Sequence, residues 1–229
     1  MPVWAAGRMP ICATLPFRCS ADDGRFDRAT LLVTGERIGI LGGTFDPVHV
    51  GHLVLAAEVR ERINLDRVLL VVANEPWQKL ARHGVTDAED RYAVVQAAVL
   101  DMDGIEASRI ELDRGGPSYT VDTVEQLLVE MPEAEFFLIV GSDVASDLGT
   151  WERADRLSKL VTLVVVDRAG VPAVEDPHGW RVLKVQAPAL EVSSSDLRER
   201  LSRGGPVKFL LPEAAISCIR DRGLYSVDR

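Results

Sequence analysis

Ile38-Gly39-Ile40-Leu41-Gly42-Gly43-Thr44-Phe45-Asp46-Pro47-Val48-His49-Val50-Gly51-His52-Leu53 decides how this chain is read. The run Ile38–Leu41 reads as a buried strand bounded by glycine. The residues from Leu53 to Arg60 have the composition and spacing of a helix. Between them lies the chemistry of a strand-to-helix turn. Gly42 and Gly43 allow a tight turn and a close approach of backbone to ligand. Asp46 is suited to cap the first helical turn, with Pro47 at the first helical position. His49 and His52, three residues apart, leave one face of that turn. Two imidazoles beside the N–H groups at a helix start make a site for an anion, and phosphate is the first candidate.

Other phosphate and metal motifs fit less well. No Gly-Lys-Ser/Thr follows the glycines, and Gly39-x-x-Gly42-Gly43 lacks the spacing of the dinucleotide fingerprint. Zinc would need a third ligand, but no acidic residue or cysteine stands at ligand spacing, and a helix start favours anions. A bare His-x-x-His would read as an ordinary polar helix start. The whole string Gly-Gly-Thr-Phe-Asp-Pro-x-His-x-Gly-His does not.

That string resembles the signature of the nucleotidyltransferases with the His-x-Gly-His motif, and within them the bacterial nicotinate-nucleotide adenylyltransferases. The resemblance runs from about Arg37 to Leu224 and rests on several separated motifs. Pro76-Trp77-Gln78-Lys79 lies where the family carries a Pro-rich loop ending in Lys. Gly116-Pro117-Ser118-Tyr119-Thr120-Val121-Asp122-Thr123 resembles its substrate-side loop. Gly141-Ser142-Asp143 and Trp151 match two more landmarks. Val192-Ser193-Ser194-Ser195-Asp196-Leu197-Arg198 resembles its Ser-Ser-Thr-x-x-Arg pattern, with Ser195 in place of the threonine. Trp77 stands where many relatives have a histidine, so no catalytic role carries over to that position.

Composition is compatible with this resemblance. A chain of 229 residues with 47% hydrophobic content can bury one full α/β core. A net charge of −9 and the lack of a basic run argue against a nucleic-acid groove. A nucleotide ligand needs only a local positive site. Cys12, Cys19 and Cys218 have no metal-ligand spacing and an odd number, so free thiols in a reducing cytoplasm are expected. No run approaches the length of a transmembrane helix.

Residues 1–35 show no sustained period and read as a disordered, dispensable extension, with Met9 or Val33 as alternative starts. Residues 36–191 alternate strands with helices and form the expected α/β core, and 192–229 form a C-terminal helical part of the same domain. Expected strands are Arg67–Val72, Ile105–Leu112, Phe136–Val140, Val161–Val166 and Arg181–Val185. Thr86-Asp87-Ala88-Glu89 reads as a capping box for a helix reaching about Leu100. Further helices are expected over Tyr119–Met131, stopped by Pro132, and over Ser193–Arg200. The fold implied is Rossmann-like: a doubly wound, mostly parallel sheet with helices on both faces and a small helical subdomain. Ligands of such sheets bind where the strand order reverses, so the His49 and Gly141 loops should share one crevice.

The resemblance implies transfer of AMP from ATP to nicotinate mononucleotide, giving deamido-NAD and pyrophosphate. The catalytic candidates it gives are His49, His52, Arg198 and Lys79. Gly42, Gly43, Thr44, Phe45, Ser194, Ser195 and Asp143 would hold ATP, and Tyr119, Thr120 and Trp151 the mononucleotide. Asp122 has the simpler role of a helix cap. Mg²⁺ would enter with ATP, held mainly by phosphates. No nucleic-acid or membrane partner is expected, and a homo-oligomer is left open. Alternatives are a nicotinamide-mononucleotide or pantetheine-phosphate adenylyltransferase, or a non-catalytic nucleotide-binding module. His49 and the Trp151 segment speak against the pantetheine enzyme.

Overall fold

The computed structural model describes residues 35–76, 84–168 and 176–226. Six strands form one sheet: β1 (Arg37–Gly43), β2 (Arg67–Val72), β3 (Ile105–Ser108), β4 (Glu135–Gly141), β5 (Thr162–Arg168) and β6 (Val182–Ala187). Their order is β3-β2-β1-β4-β5-β6, and every pairing is parallel. Parallel neighbours require crossovers, and from β1 to β5 helices supply them on both faces.

One face carries α1 (Val50–Arg62), α2 (Ala88–Ala98), α7 (Ser194–Ser202) and α8 (Glu213–Asp221). Its core combines Leu53, Val94, Leu197 and Ile219 with Val68, Leu70, Phe137, Ile139 and Val164 of the strands. The other face carries α3 (Ile110–Arg114), α4 (Thr120–Glu130), α5 (Ser142–Ala145) and α6 (Ala154–Leu160). There Val121, Leu127, Ala145 and Leu157 meet Ile38, Ile40, Leu69, Val71, Leu138 and Val165. Alternate residues of each central strand therefore enter opposite cores, which is why these strands read as unbroken apolar runs. Each such side chain contributes about 1.5–3 kcal/mol by leaving water. Gly39 is small because a Cβ there would lie 2.8–3.0 Å from Leu65, Ile139 and Val68.

Two local expectations are corrected. The strand expected to reach Leu112 ends at Ser108, and α3 takes over after Arg109. Ile110 still points into the core, so the apolar alternation persisted although the backbone had turned. Thr86 does not open α2; Asp87 is its cap, accepting from the Glu89 N–H at 2.9 Å. The expected doubly wound parallel sheet is present, and all of its pairings are parallel. The extension over 1–34 lies outside the described residues.

Candidate active site

Strands β1 and β4 are neighbours, with Ile40 opposite Leu138, and the strand order reverses between them. The Gly42–His49 turn and the Gly141-Ser142-Asp143 segment thus leave the same edge of the sheet side by side, as expected. Asp143 lies exposed in the first turn of α5, while Ser142 is buried. The two glycines of the turn differ in purpose. A Cβ at Gly43 would stand 2.9–3.1 Å from the Phe45 ring, so the glycine lets that ring fold back over the strand end. Phe45 does so from the left-handed region, at φ 48°. A Cβ at Gly42 would meet nothing within 4 Å, which leaves room beside the strand end.

His49, not Asp46, is the N-cap of α1, and Pro47 lies before the helix in a cis peptide bond with Asp46. His49 is buried, and its ring stacks on His52 with centroids 3.8 Å apart and 24° between planes. Phe45 meets His52 edge-on at 5.0 Å. The His49 main-chain N–H donates to Nδ1 of His52 at 3.3 Å. With Nδ1 as acceptor, the neutral His52 ring carries its proton on Nε2 and offers a donor there. The helix start is less open than the sequence implied, because the Val50 N–H donates to the Leu210 carbonyl at 3.0 Å. Gly51 between the histidines makes room. A Cβ there would stand 3.0 Å from His49 Nδ1 and from Val192.

Asp46 has a different task from the one its position suggested. Its carboxylate is buried; Oδ1 accepts from the Tyr225 hydroxyl at 2.8 Å and Oδ2 from the Thr86 N–H at 3.3 Å. Its main-chain oxygen accepts from Nη1 of Arg198 at 2.6 Å. Nη2 of Arg198 donates to the Ser195 hydroxyl at 3.2 Å. The Ser193 hydroxyl caps α7 by accepting from the Asp196 N–H, and the Ser194 hydroxyl donates to the Pro47 carbonyl at 2.9 Å. Ser194 and Arg198 therefore meet the His49 turn, some 150 positions away in sequence, and Ser195 is tied to it through Arg198. Burial, reinforced by the Asp46 charge, raises the Tyr225 phenol well above its ordinary pKa of 10.0.

Arg91 escaped the sequence reading. Its side chain is 1% exposed and donates to three carbonyls: Thr86 at 2.7 Å, Thr44 at 2.8 Å and Asn74 at 3.2 Å. Burial lowers its pKa, while Asp46 and other nearby acids oppose that shift. The arginine fastens the Thr44 turn to the segments on either side of 77–83. A signal existed: Arg91 occupies the same helical stripe as the buried Val94, Val95 and Ala98. Lys79 and Trp77 lie outside the described residues.

The expected mononucleotide side is built on α4 and the segment before it. The Ser118 N–H donates to the Glu75 carbonyl at 3.0 Å, and the Asn74 amide to the Gly116 carbonyl at 3.0 Å. Tyr119 is the N-cap of α4 and Thr120 its first residue. Asp122 does not cap; it pairs with Arg153, which also reaches Glu125. Behind α4, the buried Glu111 accepts from the Thr123 hydroxyl at 2.6 Å. Trp151 is partly buried, packs on the core of this face, and holds its indole N–H without an acceptor.

The donors gathered at the strand ends are imidazole, guanidinium, hydroxyl and main-chain N–H groups, a set suited to phosphate oxygens. Among the described residues no cluster of three metal-ligating side chains occurs, and no helix is long and apolar enough to cross a membrane.

A cytidylyltransferase-like family model matches residues 40–200. Over 187 residues the chain is 42% identical to a probable nicotinate-nucleotide adenylyltransferase of Streptomyces coelicolor, covering 81% of this chain and 98% of that one. Over 189 residues it is 42% identical to a Thermus thermophilus protein of the same name, covering 82% and 99%. Among solved structures, Plasmodium falciparum nicotinic acid mononucleotide adenylyltransferase complexed with APC superposes with a TM-score of 0.67 at 18% identity. That match covers 83% of this chain and 97% of that one, and at such identity it speaks for the fold.

Proposed function

The chain belongs to the cytidylyltransferase-like family, among its nicotinate-nucleotide adenylyltransferases, and we propose that it transfers AMP from ATP to nicotinate mononucleotide. The products are deamido-NAD and pyrophosphate. The observation that carries this reading is the meeting of His49, His52, Ser194, Ser195 and Arg198 where the sheet order reverses.

The acceptor is a phosphate monoester whose oxygen attacks the α-phosphorus of ATP as the bond to pyrophosphate breaks. That oxygen is already anionic, so no strong base is needed to create a nucleophile. The work left to the protein is to align two anions and to neutralise charge moving onto the leaving group. His52, through Nε2–H, and His49 act on the phosphates from one side. Arg198 and the Ser194–Ser195 helix start act from the other. Lys79 is a further cation for the triphosphate. The donor set suits anions rather than a bare divalent ion, so Mg²⁺ enters as part of Mg–ATP, held by phosphate oxygens.

Trp151 is the stacking surface for the pyridine ring, and Tyr119 and Thr120 supply donors near its carboxylate. Asp143 orients the ribose or adenine. A carboxylate takes two donors, whereas an amide turns its own NH₂ toward one of them. Such a mismatch in a partly buried site costs about 1–3 kcal/mol, roughly ten- to a hundredfold in kcat/KM. The test is pyrophosphate release from Mg–ATP with each mononucleotide. The acid is expected to be preferred by that factor, and Trp151→Ala to weaken both. Equal kcat/KM for acid and amide would remove the substrate assignment and leave the adenylyl transfer standing.

A further inference from the structure

Arg198 and Asp46 form only a loose ion pair, with no hydrogen bond between the two side chains. A guanidinium beside a carboxylate ordinarily closes onto it in a two-bond fork. Here Nη1 of Arg198 stands 3.9 Å from Oδ2 of Asp46 and bonds the main-chain oxygen of the same residue instead. Both carboxylate oxygens are already engaged, Oδ1 by the Tyr225 hydroxyl and Oδ2 by the Thr86 N–H. The Arg198 side chain keeps 36% of its surface exposed while Asp46 keeps 6%. The carboxylate therefore attracts the arginine without closing onto it in a fork.

We infer that Tyr225 is a positioning residue for ATP binding: its hydroxyl occupies Asp46 and so prevents Arg198 from closing onto that carboxylate. The inference rests on Arg198 being a phosphate ligand, as proposed above. Tyr225 is held for this task by its surroundings. The segment from α8 to Tyr225 packs on the core formed with α1 and α2, and Arg222 pairs with Asp90 of α2 at 2.5 Å. The phenol keeps its proton and remains a donor, because burial and the Asp46 charge both oppose ionisation. If the hydroxyl is removed, Oδ1 is left in a buried place with two cations nearby, of which Arg91 is already spent on three carbonyls and Arg198 is left to satisfy it. Arg198 then turns from the triphosphate toward the carboxylate.

Four forms of the full chain test this: the parent, Tyr225→Phe, Arg198→Ala and the double variant. The readout is the Kd of Mg–ATP by calorimetry without acceptor, with melting curves alongside. Tyr225→Phe is expected to raise that Kd about tenfold in the parent, and to change it less than about twofold once Arg198 is alanine. The KM for the mononucleotide should stay within about twofold of the parent value. Unchanged ATP affinity in Tyr225→Phe overturns the inference and leaves the adenylyltransferase reading intact. Equal loss in both Arg198 backgrounds also overturns it, since a general loosening of the C-terminal segment would act that way. If Arg198→Ala itself leaves ATP affinity unchanged, the phosphate role of Arg198 falls, and this inference with it.

Discussion

Gly51 is small because two neighbours already fill its space. An alanine methyl would press on the His49 ring and on Val192 at 3.0 Å, and one of them must give by a few tenths of an ångström. If His49 has the proposed role, which depends on its position, Gly51→Ala is expected to lower kcat several-fold to about tenfold, with little change in melting temperature. A crystal structure of the variant would show which neighbour moved. On the proposed mechanism, in which the imidazole acts on charge that develops in the transition state, His49→Ala should lower kcat more than it raises the KM for ATP. A pure KM effect would make His49 a ground-state binder. Tyr225 gives a signed pH dependence. Its folded pKa is raised above the ordinary 10.0, so its contribution is fully present below pH 10.0 and is lost as pH rises toward the folded value. Stability measured by denaturant from pH 9 upward should therefore fall more steeply in the parent than in Tyr225→Phe.

Helix starts and loops were where sequence and structure diverged. Central strands were legible because burial on both faces makes them apolar throughout, and their bounds shifted by only a residue or two. The start of α1 was misplaced because Asp-Pro has the local chemistry of a cap, whereas Asp46 is drawn away by Tyr225 and Thr86, partners no local pattern contains. The serines of α7 and Arg198 were legible as candidates through resemblance alone; their ties to Pro47 and Asp46 span 147 and 152 positions. Arg91 is the element-scale counterpart: one side chain fastening the ends of two loops and a helix. Arg91→Met keeps the volume but strands three carbonyls, and a loss of about 3 kcal/mol or more is expected in denaturant unfolding. Arg91→Lys can satisfy only part of that set. It should recover some stability, yet leave ATP binding weak, because the Thr44 carbonyl loses its planar partner.

At the scale of the whole molecule, the two cores are complete within the described residues, and every strand from β1 to β6 has its partner there. A chain beginning at Gly35 is therefore expected to keep its kcat and its melting temperature. A marked loss of either would show that the first 34 residues pack on the domain.

The bond between Asp46 and Tyr225 joins positions 179 apart, and it also has a meaning in time. The last strand ends at Ala187, yet one face of the sheet is covered only when Leu197, Ala215 and Ile219 of the final helices have been synthesised. Until residue 225 arrives, the turn that carries His49 has its glycines and its histidines but not the hydroxyl that settles Asp46. Covering of that face and completion of the site thus both wait for the C-terminal helices and finish close together at the end of translation. A chain halted after the sheet would lack both the cover of one core and the hydroxyl that settles Asp46, so a partly made protein would have neither a finished fold nor a finished nucleotide site.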